Sequence, residues 1–174
     1  MSATSPQARA AESAAITDTV LRSFAFRQAR TVFCFVSLPS EPDTRPILEA
    51  ALKSGKTLLV PKCVGKKMYA VPVADLSALT PGAYGIPEPA SLPDGPCPAP
   101  DLVLVPCVAA SKTGARLGHG AGYYDAYLAA CPAPKLCLCF DAFLLPDLPA
   151  EPHDVPMDAV VTASGVYGPR ADLF

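Results

Sequence analysis

The sequence lacks most of the features that would commit it to a metal framework, a membrane or a nucleic acid. Its seven cysteines, at 34, 63, 97, 107, 131, 137 and 139, form no C-x-x-C pair, which excludes the zinc-ribbon and thioredoxin-like spacings. Most lie inside apolar runs such as Leu136-Cys137-Leu138-Cys139-Phe140 and read as small core hydrophobes with reduced thiols. Basic residues are not in excess, because 14 Lys and Arg face 16 Asp and Glu for a net charge of −2. That balance gives no electrostatic case for nucleic acid or for an anionic membrane as partner. No apolar stretch approaches the ~20 residues of a membrane span. The start, Met1 to Pro6, lacks the basic residues and apolar centre of a secretory signal, so the expectation is a cytoplasmic protein. Internal repeats and linkers are missing too, and 1–174 reads as one domain, expected to be monomeric and long enough to bury a core without staples.

What is present is a 51% hydrophobic chain whose apolar residues alternate between helical and strand-like groupings. From about Ala8 to Gln28 they recur at mostly helical spacings. Thr31 to Ser37 is a continuous apolar run, as expected for a central strand covered on both faces. The loop Leu38 to Thr44 follows, with Asp43 or Thr44 placed to cap a helix that has Pro46 in its first turn and Gly55 at its end. Thr57 to Pro61 and Met68 to Val73 read as strands around a solvated basic turn containing Lys62, Lys66 and Lys67. The proline-dense stretch Pro81 to Pro100 reads as an extended surface segment or flap, with Glu88 a solvated loop residue within it. Asp101 to Pro106 is a further strand, Ala121 to Ala130 a helix stopped by Cys131-Pro132, and Leu136 to Phe140 and Asp158 to Thr162 the last strands. Strands alternating with helices predict an α/β fold, a mostly parallel sheet with helices on its faces.

The segment around which this pattern is organised is Arg116-Leu117-Gly118-His119-Gly120-Ala121-Gly122-Tyr123-Tyr124-Asp125. It matches neither G-x-G-x-x-G nor the G-x-x-x-x-G-K-[ST] P-loop. Alternate glycines ahead of a helix still allow backbone amides to converge on an anion, and a phosphate is the natural guest. Arg116 supplies charge, Tyr123 and Tyr124 supply flat surface, and Asp125 stands where a hard cation would sit beside phosphate. The spacing of Tyr124, Tyr127 and Leu128 puts them on one helical face toward the core, with Tyr123 pointing elsewhere. In parallel sheets ligands bind beyond the carboxyl ends of the strands, which would gather Glu41, this loop and, if strand order allows, His153-Asp154. Asp125 and Asp154 could then share one magnesium with phosphate oxygens and waters.

Five segments, in order, resemble the 5-formyltetrahydrofolate cyclo-ligase (methenyltetrahydrofolate synthetase) family: Glu41 to Thr44, Tyr84 to Pro89, Leu104 to Pro106, Arg116 to Asp125, and His153 to Asp158. The resemblance runs from about Ser5 onward. It implies a three-layer α/β sandwich with a mostly parallel central sheet flanked by helices. It also implies ATP- and Mg2+-dependent closure of 5-formyltetrahydrofolate to 5,10-methenyltetrahydrofolate, with ADP and phosphate released. By matching motif, Arg116, Leu117, Gly118, His119, Gly120, Ala121, Gly122, Tyr123 and Tyr124 would hold ATP, with Arg116, Tyr123 and Tyr124 closest to the chemistry. Val36, Glu41 and His119 to Tyr123 would contact the folate, Glu41 through its amino-pyrimidine edge, and Asp125 and Asp154 would bind Mg2+.

The chain also departs from the family pattern. The family's first basic helix is expected to be missing before Ser5, Cys107 to Ser111 replaces a Gly-Val-Ala-Phe-Asp segment, and Ala121 and Ala126 stand where the family has Lys or Gly and Arg. Ala121 would be strained if its position needs a positive φ. These departures keep open a homologue that binds folate or nucleotide without turnover. A sugar-phosphate isomerase or CoA-transferase relative on a similar fold is a third reading, one that predicts no ATP requirement.

Overall fold

The computed structural model describes residues 5–174; Met1 to Thr4, part of the start read for a signal, lie outside the described residues. In chain order the helices are α1 (Pro6–Arg22), α2 (Phe24–Gln28), α3 (Arg45–Lys53) and α4 (Tyr123–Ala129). The strands are β1 (Thr31–Cys34), β2 (Thr57–Val64), β3 (Lys67–Val73), β4 (Thr80–Pro81), β5 (Pro87–Glu88), β6 (Leu102–Val105), β7 (Ala109–Ser111), β8 (Arg116–Leu117), β9 (Lys135–Leu138), β10 (Leu144–Leu145), β11 (Ala159–Val161) and β12 (Val166–Tyr167).

Seven strands form one sheet in the order β12-β11-β9-β6-β1-β2-β3. The five inner strands are parallel, and β12 and β3 close the edges antiparallel. The continuous apolar runs are explained by burial on both faces. Val32, Cys34, Leu102 and Leu104 face a core completed by Ile16 and Val20 from α1 and Ile47 and Leu48 from α3. Phe33, Val103, Val105 and Cys137 face the opposite core, completed by Leu128 of α4. A small sheet, β10-β7-β8, lies against that second core through Ala110 and Leu144. The expected three-layer α/β architecture is therefore the observed one.

Several local expectations are corrected. The first helix breaks at Ser23, whose extended ψ of 145° ends α1. Its hydroxyl donates to the Val20 carbonyl at 2.6 Å and accepts the Phe26 amide at 3.1 Å, so one residue terminates α1 and caps α2. Strand β1 stops at Cys34 rather than Ser37 because the chain then turns into the loop before α3. Strand β2 runs on to Val64, which puts Lys62 inside a strand instead of a turn. The Arg116 to Asp125 segment opens as β8, paired antiparallel with β7, and α4 begins only at Tyr123, after Gly122 adopts φ 73°. The four cysteines at 34, 107, 137 and 139 are buried with free thiols, as expected.

Candidate active site

The loop between β1 and α3 is fixed by reciprocal hydrogen bonds before it presents any functional group. The Ser37 amide donates to Thr44 Oγ1 and the Thr44 amide to Ser37 Oγ, each at 3.1 Å, while the Thr44 hydroxyl donates to the Phe35 carbonyl at 2.8 Å. Thr44 stands at the α3 N-cap without a side-chain capping bond, and Asp43 Oδ1, one residue earlier, accepts the Arg45 amide at 3.0 Å. Within this frame Glu41 is buried, and its Oε2 accepts the Leu38 amide at 2.8 Å. Its Oε1 lies 3.2 Å from His119 Nε2, across 78 residues of sequence.

The three glycines of the central loop serve two different purposes. Gly120 and Gly122 have φ of 93° and 73° with open space around them, so they are needed for left-handed backbone. Gly118 has ordinary φ, but a Cβ there would lie 2.7 Å from Arg116 Nη1. The missing side chain makes room for the guanidinium, which stacks over the Tyr124 ring at 5.4 Å. Arg116 Nε and Nη1 are buried with no hydrogen-bond partner among the described residues. Unmet buried donors on a charged group are costly unless a ligand satisfies them. Ala121 does not have positive φ, because Tyr84 is the one described non-glycine residue that does. The strain anticipated at Ala121 is absent.

The two adjacent tyrosines divide their work. The Tyr123 hydroxyl donates to the Gly65 carbonyl at 2.9 Å and pins α4 to the turn between β2 and β3. Tyr124 stacks on Phe33 with centroids 6.4 Å apart, and Tyr127 meets the same ring edge-on at 5.1 Å. Burial, helped by the neighbouring Cys34 thiol and the Glu41 carboxylate, pushes the Tyr124 phenol above its ordinary range. Tyr124 is therefore a neutral hydroxyl on a packed ring, not a base.

Asp125 and Asp154 line the cleft from different elements. His153-Asp154 follows β10, which pairs parallel with β7 in the small sheet, and is drawn in because Asp125 Oδ1 accepts the Val155 amide at 3.1 Å. Asp154 Oδ2 accepts the Glu151 amide at 2.7 Å, and its Oδ1 lies 3.5 Å from His153 Nε2. Each carboxylate thus has one oxygen holding backbone. Among the described residues no cluster of three or more His, Cys, Asp or Glu could hold a metal alone.

All of these groups open onto one cleft of about 1160 Å³. Every residue singled out in the sequence lines it: Val36, Glu41, Arg116 to Asp125 and Asp154. The cleft also uses residues that sequence reasoning missed or misread. Glu88 is not a solvated loop residue, since it forms a 2.9 Å ion pair with Lys62 in which the side chains are only 16% and 13% exposed. A Cβ at Gly82 would collide with the Glu88 carboxylate, so the β4–β5 hairpin closes tightly over this pair. At its tip Tyr84 is 83% exposed and takes φ 58°. Nothing local in the sequence shows the partner of Glu88, which lies 26 residues away. Cys63 also lines the cleft, and burial followed by the nearby Glu88 charge pushes its thiol up, leaving it a poor nucleophile.

A sequence model described as the 5-formyltetrahydrofolate cyclo-ligase family matches residues 1–163. The chain is 36% identical over 142 residues to the 5-formyltetrahydrofolate cyclo-ligase of Mycolicibacterium smegmatis, covering 76% of this chain and 73% of that protein. It is 32% identical over 148 residues to the protein of the same name from Escherichia coli K12, covering 80% and 81%. The solved structure of Aquifex aeolicus 5,10-methenyltetrahydrofolate synthetase superposes with a TM-score of 0.82 at 28% identity, covering 95% of this chain and 85% of that one.

Proposed function

The chain belongs to the 5-formyltetrahydrofolate cyclo-ligase family, and from that premise we propose that it closes 5-formyltetrahydrofolate to 5,10-methenyltetrahydrofolate with ATP and Mg2+. The observation that carries this reading is the gathering of Arg116, with its unpartnered buried nitrogens, Glu41, Asp125 and Asp154 in one cleft. At about 1160 Å³ the cleft exceeds the roughly 300–1,000 Å³ usual for one small ligand, in keeping with two substrates side by side.

The substrate's chemistry sets what the residues must do. A formyl amide carbon is a poor electrophile and its oxygen a poor leaving group. The formyl oxygen attacks the γ-phosphorus of ATP, and ADP departs with the electron pair of the broken bond. The resulting imidate-like phosphate is attacked at carbon by the folate's own N10. Phosphate then leaves with the C–O electrons and the N10 proton is lost, giving the methenyl cation. Catalysis is mostly positioning and charge stabilisation, since nucleophile and electrophile belong to one molecule.

In this scheme Arg116 meets phosphate oxygens with Nε and Nη1, and the loop from Leu117 to Gly122, shaped by left-handed Gly120 and Gly122, lets backbone approach them. Tyr124 supports the guanidinium from beneath, and Tyr123 holds the loop's exit against the β2–β3 turn. Val36 and Glu41 line the folate side, with Glu41 accepting from the amino-pyrimidine edge. Asp125 Oδ2 and Asp154 Oδ1 are free of backbone bonds. Two such oxygens fit magnesium, which takes one or two carboxylates and completes its shell with phosphate oxygens and water. When bound it would neutralise phosphate charge. The reading is tested by stoichiometry: one phosphate released per folate converted, and none from ATP alone. Folate binding without phosphate release would instead favour the non-catalytic homologue.

A further inference from the structure

The bond between His119 and Glu41 joins the two halves of the cleft, and its two ends differ in freedom. Glu41 is held: its Oε2 accepts the Leu38 amide, its own amide donates to the Leu38 carbonyl at 3.0 Å, and its side chain is 6% exposed. His119 is loose, with a side chain 52% exposed on a residue flanked by Gly118 and the left-handed Gly120. A carboxylate is an acceptor only, so Nε2 must carry the proton of this contact. His119 therefore occupies Glu41 Oε1, while Leu38 occupies Oε2.

We propose that His119 is a latch that couples the two substrates. A folate edge that pairs with both oxygens of Glu41 has to displace the imidazole. The glycine flanks let the ring swing without moving the β1–α3 loop. Displaced from Glu41, its N–H is returned to the loop that carries Arg116, where an anionic phosphate is the acceptor at hand. Folate arrival thereby adds a phosphate donor, and by reciprocity nucleotide binding draws His119 off Glu41 and tightens folate. The inference rests on the reading of Glu41 as the folate's acceptor.

The test is equilibrium binding of 5-formyltetrahydrofolate to the full chain, with and without a non-hydrolysable ATP analogue and Mg2+. In the native protein the analogue tightens folate by about 5-fold or more. His119→Ala tightens folate in the absence of nucleotide by roughly 2- to 10-fold, because a competing hydrogen bond to a charged acceptor is gone, and the analogue's effect falls to none. Thermal unfolding of the variant guards against misfolding; His119→Gln, which keeps an amide donor, provides the second variant and is expected to restore part of the competition with folate. Weaker folate binding in His119→Ala with the coupling intact would overturn the latch and make His119 a fixed support, as would native protein without coupling. Glu41→Gln separates the two levels of the argument. Unchanged folate affinity there would defeat the acceptor reading itself, and the latch with it.

Discussion

Gly118 leaves its side-chain position to the guanidinium of Arg116, which would stand 2.7 Å from a Cβ at that site. The atom in the way is the end of a flexible side chain, so Gly118→Ala should cost under about 1 kcal/mol of stability while moving the cation off its place over Tyr124. We expect kcat/KM to fall by about 10-fold, the scale of one weakened charge-assisted contact. Gly120→Ala should behave in the reverse proportion, since the space is open but φ is 93°, adding roughly 1–2 kcal/mol of backbone strain. Paired denaturation and kinetic measurements distinguish the two.

Arg116→Lys is not a conservative change. A lysine retains charge but loses the planar fork and the stacking on Tyr124 at 5.4 Å. Both Arg116→Lys and Arg116→Ala should lower kcat/KM for ATP, by roughly 10- to 100-fold, with Ala the larger. Because Nε and Nη1 lack partners among the described residues, Arg116→Met should leave stability unchanged or raised. A marked loss of stability on urea unfolding would show that the guanidinium has a structural role instead.

The Lys62–Glu88 pair ties the β4–β5 hairpin to β2. Removing one partner strands the other in a site where both side chains are less than 20% exposed; Lys62→Met should destabilise by about 3 kcal/mol. Replacing both with apolar residues should recover much of that loss. A double-mutant cycle reads the coupling directly.

Alkali should unfold the protein through buried acids. Burial pushes the Cys34 thiol and Tyr124 phenol above their ordinary 9.0 and 10.0, and pushes Tyr127 up to about 12. Each raised value means that the folded state keeps a proton the unfolded chain gives up. Their stabilising contribution is full below about pH 9 and is lost as pH rises, for Tyr127 between 10.0 and about 12. The slope is about 1.4 kcal/mol per pH unit for buried Cys34 and Tyr124 inside their windows and smaller for the partly exposed Tyr127, whose shift solvent screens. Tyr127→Phe should flatten the fall in urea-derived stability between pH 10 and 11; an unchanged slope would contradict this account.

The legible parts of the fold were those set by local pattern. Asp101 to Pro106 reads as a strand because its interior is apolar, and its middle, Leu102–Val105, is one, fully buried. The Arg116 to Asp125 segment announced itself by its glycines, yet the reason for Gly118 was invisible, since it depends on where the Arg116 side chain folds back. Short pairings such as Ala109 with Leu117 carry too few residues to show a period. Ser23 gave no periodic signal for a break because its effect comes from a hydroxyl serving both flanking turns. The contacts that organise the cleft, Lys62 with Glu88 and His119 with Glu41, span 26 and 78 residues. Lys62 and Glu88 read as solvated charges because nothing local shows their pairing, and nothing local joins His119 to Glu41 although both read as site residues.

The most direct test of the central claim is near-ultraviolet absorbance from the conjugated methenyl product, followed after mixing the protein with 5-formyltetrahydrofolate, Mg2+ and ATP. The account predicts growth that stops when ATP is omitted and drops by at least an order of magnitude in Asp125→Asn, whose carboxylate accepts the Val155 amide and is the proposed magnesium ligand. Growth without ATP, or an undiminished rate in Asp125→Asn, would contradict it.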